Sequence, residues 1–467
     1  MPGTPGSCPE SSLLGSASAP HSPPPTSASR SRSSQPSDAP PPDASSRKAI
    51  GRRAMKRHFT VLGAGTVGTC CALQLLRDGH DVTLIDRDAP GMGCSFGNAG
   101  IIQVGGLVPL STPGILSQVP GMMLDPNGPL VVRWQYLPRL APYLIRFIAA
   151  AAPHRVEAAA TALSSILALA VDSFKPLFDA ANAWSLIRET GELYLYKTDA
   201  AFEAARSAHD MRRRHGIRIE TIPVEALAQL EPAVARIYKH ALLFNDCIST
   251  LDPAVLTQTL AGKFRADGGE LLQETVNDLE IDADGKRTLI TSTGRRKVDE
   301  IVIAAGAYSK PWAKKLGSYV PLDTERGYHL MLRNAGVELG RPVVFGDQKF
   351  GAVSMLDGVR IAGTAELAKL DAEPNYQRAF RLLNLAKEAL PDLRTDDVTP
   401  WMGHRPSTPD SLPVICKAPN ADKTYFAFGH GHLGLTMGGV TGRLIADLAA
   451  GRTPPIDMKP FSISRFG

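Results

Sequence analysis

Much that would place this chain quickly is missing from it. Its six cysteines (Cys8, Cys70, Cys71, Cys94, Cys247 and Cys416) include no C-x-x-C spacing. That argues against a disulfide framework or a zinc site and fits the reduced thiols of a cytosolic protein. No window of about 18 consecutive apolar residues occurs, so no membrane-spanning helix is expected. The best stretch, "LIRFIAAAAP" at 144–153, is short and carries Arg146. A net charge of +5 is small for 467 residues, and no basic stripe with interleaved aromatics appears, so nucleic acid is not an expected partner. Repeats of solenoid period are absent. Residues 1–54 contain no Phe, Trp or Tyr, but eleven Pro and fourteen Ser. Such a segment cannot bury enough apolar surface to offset chain entropy, and disorder is expected there. Its Arg- and Ser-rich, acid-poor composition also describes a transit peptide. The simpler reading starts translation at Met55, directly before the first strand.

What is present begins at "KRHFTVLGAGTVGTCCALQLLRDGHDVTLIDRD". Phe59 to Leu62 is an apolar run that predicts a buried parallel strand. Gly63, Gly65 and Gly68 form a G-x-G-x-x-G turn, and Val67 to Leu76 has helical periodicity. A second buried strand, "DVTLID", ends at Asp86. A glycine-rich turn between strand and helix, with an acid at the end of the next strand, is the fingerprint of a dinucleotide site. Gly63 allows the tight turn, Gly65 lets backbone N–H groups approach a pyrophosphate, and Gly68 lets helix and strand meet closely. The helix N-terminus carries roughly half a positive charge, which favours the diphosphate. Asp86 is placed to accept from ribose hydroxyls, where an Arg would be needed for a 2′-phosphate.

NAD and FAD both fit that much, and two features favour FAD. A second glycine-rich loop, "GMGCSFGNAG" at 91–100, follows the second strand at once and offers Ser95 and Asn98 as polar anchors. Later, "VDEIVIAAGAYS" at 298–309 reads as a buried strand running into a glycine turn, a second backbone approach to a long ligand. Between 107 and 240 the pattern is mainly helical, with an Ala-rich amphipathic run at 155–181. Residues 321–395 read as strands and a helix, and the chain closes with "FGHGHLGLTMGGVTGRLIADL" at 428–448. There His430 and His432 invite a metal reading, but no Cys, Asp or third His stands at suitable spacing.

The ordered set "VLGAGTVG…LID", "SFGNAGI", "VIAAGAYS", "TERGYHL", "WMGHRPSTPDSLPVI" and the closing stretch resembles the FAD-dependent D-amino-acid oxidase and dehydrogenase superfamily. Within it, the chain is most similar to the bacterial D-amino-acid dehydrogenases of the small-subunit type. The resemblance runs over nearly the whole chain from Met55. It implies an α/β fold with a discontinuous Rossmann-like FAD-binding domain (55–106, 243–320 and 396–467) and a second, α+β substrate domain (107–242 and 321–395). It also implies the reaction: hydride passes from the substrate α-carbon to flavin N5, and the imino acid hydrolyses to a 2-oxo acid and ammonia. A quinone or carrier then takes the electrons. The implied setting is the cytoplasm, with the inner-membrane surface as a place to meet the acceptor.

The expected cofactor contacts follow from the same match. Ala64, Thr66 and Val67 join the three glycines of the first turn, and Arg87 follows Asp86. Ala99 and Gly100 complete the second loop; Val276, Ala305, Gly306 and Gly403 come from the later strands. The closing stretch becomes the last flavin contact, through Gly431, His432, Leu433, Gly434, Leu435 and Thr436, with a helix starting near Leu435–Thr436 and aiming its N-terminus at the ring. Where some relatives attach FAD to a cysteine this chain has about Gly403, so the flavin is expected to be non-covalent. Arg405 matches the family's carboxylate-binding Arg in G-x-R-P; a planar bidentate fork suits a carboxylate, at roughly 1.5–3 kcal/mol. Tyr328 matches a tyrosine that offers a second carboxylate or amine contact, with Arg326 and His329 as flanking competitors. No acid–base pair is required if the amine binds neutral. Three alternatives remain: oxidation of a secondary amine such as D-hydroxyproline, sarcosine or glycine, an NAD-dependent dehydrogenase, and a flavin-fold binding or RNA-modifying module.

Overall fold

The computed structural model describes residues 56–113 and 130–467; the Ser/Pro-rich stretch and Met55 lie outside the described residues. The apolar run that opens the ordered chain forms strand β1 (His58–Leu62), buried along four of its five residues. Gly63 turns the chain with φ of 108°, a conformation that a side chain disfavours. Helix α1 (Thr66–Arg77) then starts without a side-chain cap. It stops at Asp78–Gly79, where Gly79 takes φ of 89°, and β2 (Asp81–Asp86) returns parallel to β1.

Three helices follow: α2 (Leu137–Ala150), α3 (Pro153–Leu167) and α4 (Ala170–Ala181). Taken together, Pro153–Ala181 is 29 residues long and, by length and composition alone, apolar enough to cross a membrane, although half of its most apolar window is buried inside the protein. The expectation of no such helix rested on uninterrupted apolar runs, which Asp172 and Lys175 break. Leu163, Ile166, Phe174 and Phe178 place the run in the main hydrophobic core.

Two large sheets carry most of the strands. The first collects β1, β2, β5 (Glu270–Gln273), β6 (Glu300–Ile303), β12 (Val414–Lys417) and β13 (Thr424–Phe428). Its six strands run β5-β2-β1-β6-β13-β12, parallel except for the last pair. Helix α5 (Pro253–Ala266) leads into β5; it begins where Asp252 accepts from the N–H groups of Ala254 and Val255. The second, nine-stranded sheet contains β3 (Glu192–Tyr196), β4 (His240–Phe244), β7 (Asp323–Arg333), β8 (Val343–Phe345), β9 (Phe350–Met355), β10 (Gly358–Leu367) and β11 (Asp397–Ser407). Short strands at Glu220–Ile222 and Leu130–Val132 complete it. β11 falls inside the 396–467 piece expected with the FAD-binding domain. It instead pairs along its whole length with β7, from Asp323 opposite Ser407 to Arg333 opposite Asp397.

The last helix, α6 (Gly438–Ala450), lies against α1, and three glycines make the crossing close. A Cβ at Gly438 would stand 2.9 Å from the Thr66 methyl, one at Gly439 2.9 Å from the Phe174 ring, and one at Gly442 2.6 Å from the Cys70 carbonyl oxygen. Backbone cannot yield to a methyl as a flexible side chain can. Gly442→Val should therefore cost about 1–3 kcal/mol by overpacking. The control is Gly262→Ala on α5, where nothing lies within 4 Å of the added methyl; it should stabilise by about 0.5–1 kcal/mol. Equilibrium urea unfolding of the two variants checks both signs.

Candidate active site

One large cavity, about 1140 Å³, runs from the C-terminal end of the first sheet to the face of the second. At its first end, Gly63 lies so close to β6 that a Cβ would stand 2.5 Å from the Ala304 carbonyl oxygen, and a Cβ on Gly68 would stand 1.8 Å from the Gly63 oxygen. These two glycines set the turn, and Gly65, Thr66 and Val67 face the cavity. Ala64, Gly68 and Gly100 do not line it. Ala64 gives its N–H to Asp86 Oδ2 at 2.6 Å, Gly68 stands behind the turn, and Gly100 gives its N–H to Asn98 Oδ1 at 2.9 Å. Among the described residues, the N–H groups of Gly65, Val67 and Gly68 meet no protein acceptor. Those of Gly65 and Val67, which line the cavity, are donors left for an anion at a helix start. Ser95 accepts from the Thr66 N–H at 3.0 Å and hydroxyl at 3.1 Å, so its own proton is free to turn toward the cavity. Asp86, Arg87, Val276, Ala305 and Gly306 line the same end.

The second loop is held from the other sheet. Arg360, 2% exposed, donates through Nη1 to the carbonyls of Phe96 and Asn98; burial lowers its pKa to about 10 against the pull of Asp252 and Asp357. His329 donates from Nδ1 to the Gly97 carbonyl at 3.1 Å, and burial, then Arg360, pushes its pKa down to about 3. Its ring stacks on Trp401 with centroids 5.0 Å apart. Trp401 lies in a bed of missing side chains: a Cβ on Gly97 would stand 1.9 Å, and one on Gly403 2.0 Å, from its ring. Asn98, Ala99 and Gly403 line the cavity beside it.

The closing stretch arrives through a 3-10 turn, Gly431–Leu433, and α6 starts at Gly438, three residues beyond Leu435. The expected helix start at Leu435–Thr436 is therefore a turn instead. Among the described residues the N–H groups of Gly434, Leu435 and Thr436 meet no protein acceptor. The positive end expected of a helix is thus supplied by a turn with three open donors. Thr436 Oγ1 accepts from the Gln103 N–H at 3.1 Å and donates to the Ile101 carbonyl at 3.2 Å, tying this turn to the second loop. His430 is buried, its Nε2 3.0 Å from Thr441 Oγ1, and burial lowers its pKa to about 3. His432 opens into the cavity, yet deep enough that burial, with Arg405 adding, lowers its pKa to about 4. Among the described residues no group of His, Cys, Asp or Glu is placed to hold a metal ion.

Arg405 stands in β11 opposite Glu325 of β7. Among the described residues its guanidinium has no hydrogen bond and no ion pair. A Cβ on Gly327 would stand 2.5 Å from the guanidinium carbon, so the guanidinium lies flat over that glycine. Tyr328 is on the opposite face. It is 1% exposed, donates to Glu366 Oε2 at 2.6 Å and accepts from the Asn375 N–H at 3.1 Å. Tyr328 borders the cavity, but its hydroxyl is spent, which takes away the expected second substrate contact. Arg326 is spent likewise, on Glu366 at 3.1 Å and the Ala372 carbonyl at 2.6 Å. Sequence reasoning missed Glu325, Gln103 and Arg360. The only available signal for Glu325 was its two-residue spacing from Gly327 in one strand.

A family model described as FAD dependent oxidoreductase matches residues 58–448. The chain belongs to the DAO family of FAD-dependent oxidoreductases. It is similar to a D-amino-acid oxidase of Bradyrhizobium diazoefficiens, 35% identical over 417 residues, covering 88% of this chain and 99% of that protein. A D-amino acid dehydrogenase of Paramagnetospirillum magneticum is 32% identical over 425 residues, covering 87% and 98%. Glycine oxidase from Geobacillus kaustophilus shares the fold at a TM-score of 0.67 and 20% identity, over 88% of this chain and 99% of that one. The nicotinamide alternative is thereby overturned. The residues fit FAD: open N–H donors wait at the first turn and again at Gly434–Thr436, and the cavity is continuous between them.

Gly431 holds φ of 55°, whereas Gly434 is helical and has only the His430 Cβ within 4 Å, at 3.8 Å. Gly431→Val should strain the turn by about 1–3 kcal/mol and weaken flavin binding about tenfold or more. Gly434→Ala should keep flavin. The ratio of flavin to protein absorbance after gel filtration reads both.

Proposed function

We propose that this family member carries out FAD-dependent oxidative deamination of a D-amino acid, giving a 2-oxo acid and ammonia. The observation that carries this reading is the guanidinium of Arg405, unpaired and held over Gly327 inside the cofactor cavity. A group placed so is a ready bidentate partner for a substrate carboxylate. The names of the curated relatives support the D configuration. Bound FAD supplies a two-electron acceptor; the chain's own residues bind, orient and shield. Arg405 fixes the carboxylate, and Trp401 with Met402 borders the rest of the substrate. Leu137, Tyr143, Leu144 and Phe147 from α2 line one wall and limit water. Burial, with Arg405 adding, lowers the pKa of His432, so it competes little with Arg405 for the anion.

In this reading the electrons pass on to a quinone or other carrier. The outer side of α2 supports that: Ile145 is 67% exposed, and Ile148, at the edge of the cavity, is 41% exposed. The helix also carries Arg139 and Arg146, and residues 130–156 contain no acid. A basic, apolar helix at the cavity mouth suits the surface of an anionic membrane, with the rest of the chain in the cytoplasm.

The test is an anaerobic screen of D- and L-amino acids, prolines and N-methyl glycine, watching the flavin bleach. D-amino acids should bleach it fastest; bleaching by none of these amines would overturn the proposal. Arg405→Met should weaken substrate binding about 10- to 150-fold, from loss of a bond to a charged group of about 1.5–3 kcal/mol. Arg405→Lys should not restore it, because an ammonium lacks the fork. Reoxidation by dissolved oxygen as fast as by a short-chain quinone would overturn the carrier part alone.

A further inference from the structure

We propose that Glu325 binds the substrate's ammonium group and takes its proton, as the partner of Arg405 in holding a zwitterion. The inference rests on the amino-acid reading of the site and adds a base that the sequence did not reveal.

The geometry begins with strand pairing. Glu325 and Arg405 are direct partners across the antiparallel β7–β11 ladder. Side chains of such partners share a face, with Cβ atoms about 5 Å apart. Opposite charges so placed would ordinarily close into an ion pair. Here they do not, because Gly327 leaves room for the guanidinium one same-face position further along β7. Both residues line the cavity. The result is a cation and an anion, side by side, each without an ion-pair partner among the described residues. An α-amino acid carries a carboxylate and an ammonium separated by one carbon, which is the complementary arrangement.

The surroundings suit a base. Burial holds the Glu325 carboxyl above the ordinary carboxylate range, and Asp323 on the same strand adds to this; Arg405 and the Ser407 hydroxyl on β11 pull it back. Tyr143 on α2 faces it, a buried phenol that stays protonated. His432, on the turn near Arg405, is neutral. One proton transfer completes the chemistry. The ammonium N–H bond breaks and a carboxyl O–H bond forms on Glu325. The freed nitrogen lone pair makes the C=N bond as the α-hydrogen leaves with its electron pair to the flavin, which is the oxidant. Glu325 then returns its proton to solvent before the product leaves.

The experiment uses the holoenzyme in anaerobic stopped-flow, with a D-amino acid that bleaches the wild type. The reduction rate should rise with pH through the Glu325 titration, because the base must be ionised, and then level off. Glu325→Gln should lose about 100-fold or more at neutral pH, the scale of a general base. Its rising limb should move up to the pH at which the substrate amine itself is free. A wild-type limb and a rate within about threefold in Glu325→Gln would overturn the inference while leaving the deamination reading intact. Failure of the wild type to bleach would instead strike that reading. A second measurement needs no variant: a simple aliphatic carboxylate without an amine, read by flavin spectral perturbation, should bind the wild type more tightly as pH falls and Glu325 loses its charge. Binding that does not change across that range would overturn the inference.

Discussion

The proposed chemistry of this cavity depends on Arg405, whose guanidinium has no carboxylate partner among the described residues. Removing a guanidinium from bulk water costs several kcal/mol, and most buried arginines recover that cost in a paired acid. Three deeply buried arginines here find acceptors: Arg326 on Glu366, Arg360 on two loop carbonyls, and Arg378 on the Thr364 hydroxyl. Arg405 instead keeps its fork open to the cavity. What makes this stable is partial exposure to the cavity together with the absent side chain of Gly327, which lets the guanidinium lie down without touching Glu325. Eleven paired residues of β7 and β11 fix both ends of the arrangement. A donor held in place before the ligand arrives has little reorganisation to undergo when it binds.

The same use of missing side chains recurs at each seam of the molecule. Gly63 and Gly68 allow β1, β6 and α1 to meet at backbone distance, which opens the first turn's N–H groups to the cavity. Gly97 and Gly403 together make the slot for Trp401, and Trp401 supports His329, which holds the second loop by its Gly97 carbonyl. Gly438, Gly439 and Gly442 bring α6 down onto α1 and Phe174. With α6 anchored there, and His430 bonded to Thr441 on it, the turn at 431–436 has little freedom. Its three open N–H groups stay beside the cavity.

Features set by local physics were legible in the sequence. The first strand, turn and helix, the acid at Asp86 and the second loop all follow from residues close together in the chain. What was not legible depends on strand parity and distant contacts. β7 is almost wholly buried on both faces, so alternation of hydrophobicity cannot say which side meets the cavity. That parity decides everything between Tyr328, whose hydroxyl is tied to Glu366, and Glu325, which looks inward. Arg360 reaches a loop more than 260 positions away, and no local pattern announces such a contact. The start of α6 was misplaced for a smaller reason: Gly434, Leu435 and Thr436 have ordinary helical spacing, but their N–H groups face the cavity instead of continuing a ladder.

In the proposed reaction Arg405 and Glu325, neither ion-paired among the described residues, also bear on turnover. Together they make the inner site nearly neutral, so a zwitterion enters without adding net charge to a poorly solvated space. A 2-hydroxy acid would satisfy Arg405 but offer Glu325 only a hydroxyl, leaving an anion facing a buried carboxylate. The 2-oxo acid left after hydrolysis is in that same position: it keeps the carboxylate and has lost the ammonium. One acid placed opposite one arginine therefore favours the amine on entry and disfavours the product once nitrogen is gone. Neither effect is available to a site built on the arginine alone.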